Sequence, residues 1–184
     1  KNEPKQENGR TRILVVDVHP LIREGLRQII RLQPDLAFCG EAQTVQGALA
    51  AVANSKPDLV LLDLRLGNAD GLELIKTLKA KFPALNILVL SHFDETIYAE
   101  RALRAGAHGY VMKDKATTEV LAALRPIISG QLYVGYRLAA IALHKMIGTK
   151  PLKNGDRASG TETLTDRELQ VFHLLGAELS ARKI

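Results

Sequence analysis

PDLVLLDLRLGNADGLELIKTLKAKF, residues 57–82, holds the pattern that decides the fold. Leu59–Leu62 is an apolar run of strand length with no polar break, as suits a strand covered on both faces. It stops at Asp63. From residue 70 to 81 the period changes: Leu72, Leu74, Ile75 and Leu78 recur at helical spacing, and the pattern breaks before Pro83. Outward from this strand–helix unit the same alternation repeats. The apolar runs Ile13–Val16, Leu36–Cys39, Ile87–Leu90 and Gly109–Met112 alternate with helix-like stretches over 20–32, 43–54, 95–105 and 116–129. In the first stretch Leu21, Ile22, Leu26, Ile29, Ile30 and Leu32 supply the apolar stripe, which ends before Pro34. Five strand–helix repeats imply right-handed crossovers and a parallel sheet, with functional residues just past the carboxyl ends of the strands.

The predicted fold is therefore α/β, a flavodoxin-like, doubly wound, five-stranded parallel sheet. With 184 residues, the chain has room for one domain of about 150 residues and a remainder. A hydrophobic fraction of 46% with 24% charged residues excludes a disordered or fibrous chain. Aromatics make up only 4%, so the core must be aliphatic. The single cysteine, Cys39, cannot pair internally, which fits a reducing compartment. No apolar run approaches the ~18 residues of a membrane span, and residues 1–10 lack the apolar core of a secretory signal. The expectation is a soluble cytoplasmic protein with no membrane partner. Of the formal charge of +5, residues 149–184 contribute +1, so the excess reads as a mixed solvated surface rather than a basic stripe.

Past residue 130 the texture changes. Leu138, Ile141, Ala142, Met146 and Ile147 predict one more amphipathic helix over 136–147. Gly148–Thr163 is rich in Gly, Lys, Asn, Ser and Thr without an apolar period, and reads as linker. Thr165 with Glu168 three residues later has the form of a capping box, followed by Leu169, Phe172 and Leu175 on one face. The chain ends at Ile184, before a second core is expected to close.

Four polar residues follow the predicted strands: Asp17 the first, Asp63 the third, Ser91 the fourth and Lys113 the fifth. In a parallel sheet this brings two acids, a hydroxyl and an amine to one edge. These residues sit in stretches that resemble the receiver domains of two-component response regulators: ILVVDVHPLIREGL (13–26), PDLVLLDLRLGNADGLEL (57–74), ILVLSHFDE (87–95) and AGAHGYVMKD (105–114), in order and spacing. The resemblance implies a CheY-like fold with Asp63 as phosphoacceptor. It implies that Lys113 pairs with the acceptor carboxylate and phosphoryl oxygens, that Ser91 contacts the phosphoryl group, and that Tyr110 is the switch aromatic. Mg²⁺ would be held by Asp17, Asp63 and the backbone carbonyl of Arg65. The roles make chemical sense, because a carboxylate attacks a phosphate dianion only where a hard cation and an ammonium neutralise the developing charge.

LTDRELQVFHLLGAELSARKI (164–184) is similar to the start of a LuxR-type helix-turn-helix domain, which with the receiver points to the NarL/FixJ class of transcription factors. The implied division is a receiver over 11–130, a linker over 131–163 and an incomplete, all-α DNA-binding segment over 164–184, short of its recognition helix. The implied function is a DNA-binding transcriptional response regulator, not an enzyme, whose receiver is phosphorylated on Asp63 by a sensor histidine kinase to control homodimerisation and DNA binding in the full-length protein.

Two residues depart from the family pattern. Val18 stands where a second acid usually ligates the metal directly, which predicts weakened Mg²⁺ binding; it also raises the alternative of an atypical receiver acting as a phosphorylation-independent interaction and dimerisation module. Gly67 stands where Pro is usual, which predicts a looser loop after Asp63. His19 reads as a helix-start histidine facing solvent rather than a substitute ligand, and His92, His108, His144 and His173 show no metal-site spacing. A haloacid-dehalogenase-type hydrolase is disfavoured by Arg65 in the place of its second Asp. A flavin carrier is disfavoured by Val18-His19-Pro20 in the place of a hydroxyl-rich phosphate loop.

Overall fold

The structure, a computed structural model, describes residues 9–136 except 68 and 116, and beyond them residues 139, 140, 143, 147, 164, 165 and 168. Five parallel strands, β1 (Thr11–Val16), β2 (Leu36–Ala42), β3 (Leu59–Leu62), β6 (Asn86–Ser91) and β7 (Gly109–Met112), form a sheet in the order β2-β1-β3-β6-β7. The helices α1 (Pro20–Arg31), α2 (Val45–Ser55), α3 (Gly71–Lys81), α4 (Glu95–Ala105) and α5 (Thr117–Ile128) alternate with them. The order reverses at β1, between β2 and β3, which is where a doubly wound sheet opens a crevice at its carboxyl edge.

The central strands are apolar because both of their faces are covered. On one face Ile13, Val15, Leu59, Leu61, Leu88, Leu90 and Val111 pack with Leu26 and Ile30 of α1 and Val120, Ala123, Leu124 and Ile127 of α5. The alternate residues Leu14, Val16, Val60, Leu62, Ile87 and Val89 are equally buried and point the other way. There α2 lies against β1 and β2, and α4 against β7. The expected stripe of α1 is corrected at its ends: Leu21 is 84% and Leu32 78% exposed, while Arg23 lies buried in line with Leu26 and Ile30.

One element escaped the sequence pattern. Between β3 and α3 a hairpin of two-residue strands, β4 (Arg65–Leu66) and β5 (Ala69–Asp70), pairs antiparallel. Two residues carry no detectable period. Gly67, in the connection, has φ +66°, a conformation closed to proline. It serves a tight reversal here, rather than the loosening read from the missing Pro. At the hairpin's end Gly71 donates its N–H to the Leu64 carbonyl at 3.1 Å, so close that an added Cβ lies 2.5 Å from Leu64 Cα. Only glycine permits this crossing.

Most helix starts are set by local capping. Thr44, Asp70 and Asp94 accept hydrogen bonds from Gly47, Leu72 and Thr96 N–H groups at the starts of α2, α3 and α4. At α1 the N-cap is His19, whose side chain makes no capping bond. Of the helix predicted over 136–147, residues 136, 139, 140, 143 and 147 are helical, and the remainder lies outside the described residues, as does the linker over 148–163. The predicted capping box is present: Thr165 N–H donates to Glu168 Oε2 at 2.8 Å, and Glu168 N–H donates back to Thr165 Oγ1 at 3.3 Å. By internal packing the chain divides into Lys1–Leu138 and Ala139–Ile184. No helix among the described residues is long and apolar enough to cross a membrane.

Candidate functional site

Ladder hydrogen bonds continue past the strand ends and fix the backbone of the polar residues there. Asp17 N–H donates to Ala42 O at 3.1 Å, Asp63 N–H to Val16 O at 2.8 Å, and Lys113 N–H to Ser91 O at 2.8 Å. Ser91 itself is the last residue of β6, paired with Met112. The sheet therefore presents Asp17, Asp63, Ser91 and Lys113 at one level. Asp17, Asp63 and Ser91 are at most 2% exposed, and the Lys113 side chain is 2% exposed as well.

The Lys113 ammonium lies between the two acids, 2.5 Å from Asp17 Oδ2 and 2.6 Å from Asp63 Oδ2. One cation against two carboxylates leaves the buried cluster with an excess negative charge. Burial pushes the Asp63 carboxyl above the ordinary carboxylate range; the hydrogen bond and charge of Lys113 oppose this, and the charge of Asp17 adds to it. Asp63 Oδ1 accepts the Arg65 N–H at 3.2 Å. Asp17 Oδ1 accepts the His19 N–H at 2.8 Å and lies 2.8 Å from His19 Nδ1. Asp17, His19 and Asp63 offer ligand atoms within 4.8 Å of one another. Two hard carboxylate donors with a net negative charge fit a divalent cation such as Mg²⁺.

Beside this cluster runs a second chain of contacts. Tyr110, 2% exposed, donates its hydroxyl to the Phe93 carbonyl at 2.8 Å, and the Phe93 N–H donates to Ser91 Oγ at 3.2 Å. Burial pushes the Tyr110 phenol well above its usual range, keeping it a neutral donor. The loop carrying Phe93 is thus tied to Ser91 at one end and Tyr110 at the other, and the Phe93 ring stacks on Tyr98 of α4 at 4.6 Å.

The structure thus brings Asp17, Asp63 and Lys113 into direct contact, with Ser91 and Tyr110 joined through Phe93. Arg65 reaches the cluster by its backbone N–H. The sequence reading missed Arg23, which donates Nη1 to the Asp17 carbonyl at 2.9 Å and places Nε 3.4 Å from Glu41. Its signal was available: a charge three residues before Leu26 and seven before Ile30, inside the apolar stripe of α1.

The profile of the response regulator receiver domain matches residues 13–125, more than half of the chain. The chain belongs to the response regulator receiver family. It is 33% identical over 173 residues to the DNA-binding transcriptional activator DevR/DosR of Mycobacterium tuberculosis, covering 94% of this chain and 77% of that protein. It is 29% identical over 172 residues to the nitrate/nitrite response regulator NarL of Escherichia coli K12, covering 94% and 78%. Among solved structures, a LuxR-family two-component response regulator from Aurantimonas sp. SI85-9A1 superposes with a TM-score of 0.69 at 30% identity, covering 75% of this chain and 99% of that one. The chain is a response regulator of the transcriptional, LuxR-related kind, and its relatives are regulators rather than enzymes. They lend no support to the alternative of a phosphorylation-independent interaction module, which is set aside.

Proposed function

We propose that the receiver accepts a phosphoryl group on Asp63 from a sensor histidine kinase, and that this controls homodimerisation and DNA binding of a cytoplasmic transcription factor. The observation that carries the reading is the Lys113 ammonium bridging the buried Asp63 and Asp17 carboxylates at 2.6 and 2.5 Å. In the transfer the phosphorus–nitrogen bond of a phosphohistidine breaks as a bond forms to an Asp63 oxygen. Lys113 already lies against Oδ2, where it balances the charge gathering on the phosphoryl oxygens. Ser91 contacts the phosphoryl group, and the Ser91–Phe93–Tyr110 chain carries the change to α4. Mg²⁺ would be held by Asp17, Asp63 and the Arg65 carbonyl and would supply neutralisation of the incoming phosphate. Val18 places an isopropyl group beside that site and removes a charge that would attract the ion, so Mg²⁺ binding is weakened by about ten- to a hundredfold against an acid at the same position.

DNA binding is carried over from the activator of M. tuberculosis, whose similarity to this chain extends over 94% of it, and from the capping box that opens a helix at Thr165. The receiver spans 11–130, the linker 131–163 and the opening of the DNA-binding domain 164–184. Incubation with acetyl phosphate and Mg²⁺ followed by intact-mass measurement tests the reading. A gain of one phosphoryl group that disappears in Asp63→Ala is expected; no gain at saturating metal overturns it.

A further inference from the structure

We infer that His19 is a metal ligand, and that the Asp17–His19–Asp63 cluster selects a first-row transition dication such as Co²⁺ or Zn²⁺ over Mg²⁺. The inference rests on the proposed cation site at Asp17 and Asp63 and names a donor that site was not expected to have. His19 occupies the N-cap of α1, yet its ring makes no capping bond, unlike the Thr44, Asp70 and Asp94 side chains at the starts of α2, α3 and α4. It turns instead to Asp17, Nδ1 to Oδ1 at 2.8 Å. A ring nitrogen lone pair and a carboxylate oxygen repel at that distance unless something positive lies between them. The hydrogen of the Nδ1–H tautomer can fill that place, and so can a dication. Adjacent ligands of one dication at about 2.1 Å are about 3 Å apart, so the pair already has the spacing of two neighbouring ligands.

Asp63 completes the set within 4.8 Å, while Lys113 occupies the Oδ2 atoms of both acids and leaves the Oδ1 side of Asp17 to His19. The ring is held at the rim, with its side chain half exposed, so a hydrated ion reaches it without opening the core. Val18 adds the chemical reason. With no second acid at the strand end, the cluster loses the hard oxygen that favours Mg²⁺. A set of one imidazole and two carboxylates binds dications in the general order Mn²⁺ below Co²⁺, with Mg²⁺ gaining least from nitrogen. His92 stands edge-on to His19 with ring centroids 6.4 Å apart and is outside the set.

The test is direct metal titration of the unphosphorylated chain with Co²⁺ and with Mg²⁺. Binding is read by calorimetry and by the paramagnetic shifts that Co²⁺ imposes on histidine ring protons. Co²⁺ is expected to bind at least about tenfold more tightly than Mg²⁺, with the largest ring shifts on His19. His19→Asn, which keeps a polar side chain at the helix start, is expected to lower Co²⁺ affinity about tenfold and leave Mg²⁺ affinity within about twofold. His92→Asn is expected to change neither. An amide spectrum matching the parent outside α1 shows that His19→Asn is folded. Co²⁺ affinity unchanged in His19→Asn, or Co²⁺ and Mg²⁺ weakened alike, overturns the inference. Because no phosphoryl donor is present, this outcome is separate from whether Asp63 accepts phosphate.

Discussion

Asp63→Asn is expected to cost the fold nothing at neutral pH, although it removes a buried ion pair, and to gain on the parent as the pH rises. The magnitude follows from the geometry. At an effective dielectric near 20, the Lys113–Asp63 contact at 2.6 Å is worth about 6 kcal/mol. Repulsion between Asp63 and Asp17, whose ligand oxygens lie within 4.8 Å, returns about 3 kcal/mol of that. The amide keeps an oxygen for Lys113 but presents its nitrogen to the Arg65 N–H, forfeiting a further ~1 kcal/mol. Against this net loss stands the desolvation of a carboxylate that is 2% exposed, a cost of several kcal/mol per ion, and the largest influence on Asp63. The variant is therefore expected within about 1 kcal/mol of the parent at pH 7.5, on the stabilising side.

The pH dependence is the cleaner signature, because the packing cost of the amide is common to every pH. Burial raises the Asp63 carboxyl above its unfolded value, so its contribution to stability is fully present below the ordinary carboxylate range and is lost as pH rises through the folded value. Asparagine has no such loss. Urea unfolding in the presence of a chelator, at pH 4 and pH 7.5, is expected to show the variant's stability relative to the parent increasing between the two. A variant less stable than the parent by more than about 2 kcal/mol at pH 7.5, or a relative stability that falls with pH, refutes the view that desolvation dominates at Asp63.

Lys113→Met leaves two buried carboxylates facing each other and is expected to cost about 3–5 kcal/mol in urea unfolding, with much of it recovered in the double variant Lys113→Met/Asp63→Asn. A full loss that persists in the double variant contradicts the charge account. Tyr110→Phe is expected to lose about 1 kcal/mol through the missing bond to the Phe93 carbonyl, and amide exchange should quicken at Phe93; unchanged exchange counts against the tether. Gly71→Ala drives a Cβ to 2.5 Å from Leu64 Cα and is expected to cost about 2–3 kcal/mol, read as a lowered thermal midpoint, and a neutral result removes the close crossing of the hairpin.

The strands were legible because burial on both faces leaves no room for polar residues: β3, Leu59–Leu62, has the bounds its sequence suggests. Where one side of a strand meets water the signal fades. Edge strand β2 runs to Ala42, beyond the expected Cys39, through Gly40 and Glu41, which no apolar run includes. Its residue Glu41 engages Arg23 and Arg27, so its polarity belongs to partners on α1 that are distant in sequence. The hairpin β4–β5 was invisible for a different reason: its two-residue strands are held by the turn at Gly67 and the approach of Gly71 to Leu64, not by a period. On α1 the helix itself was evident, but which residues it buries was settled by the sheet beneath it, and Leu21 lost its place to Arg23.

At the site, position and charge separate. Asp17, Asp63, Ser91 and Lys113 are placed by backbone ladder bonds one step past or at the strand ends, and those bonds are indifferent to the neighbouring side chains. On the proposed reading, a valine at position 18 leaves the positions intact but adds no charge to a buried edge where one ammonium already faces two carboxylates. The fold sets the arrangement of its polar groups, but the affinity of that arrangement for a cation is set by the count of charges and the kind of donor within a few ångströms. On the inference above, that count includes His19, which sequence spacing assigns to a helix start and whose ring turns toward Asp17.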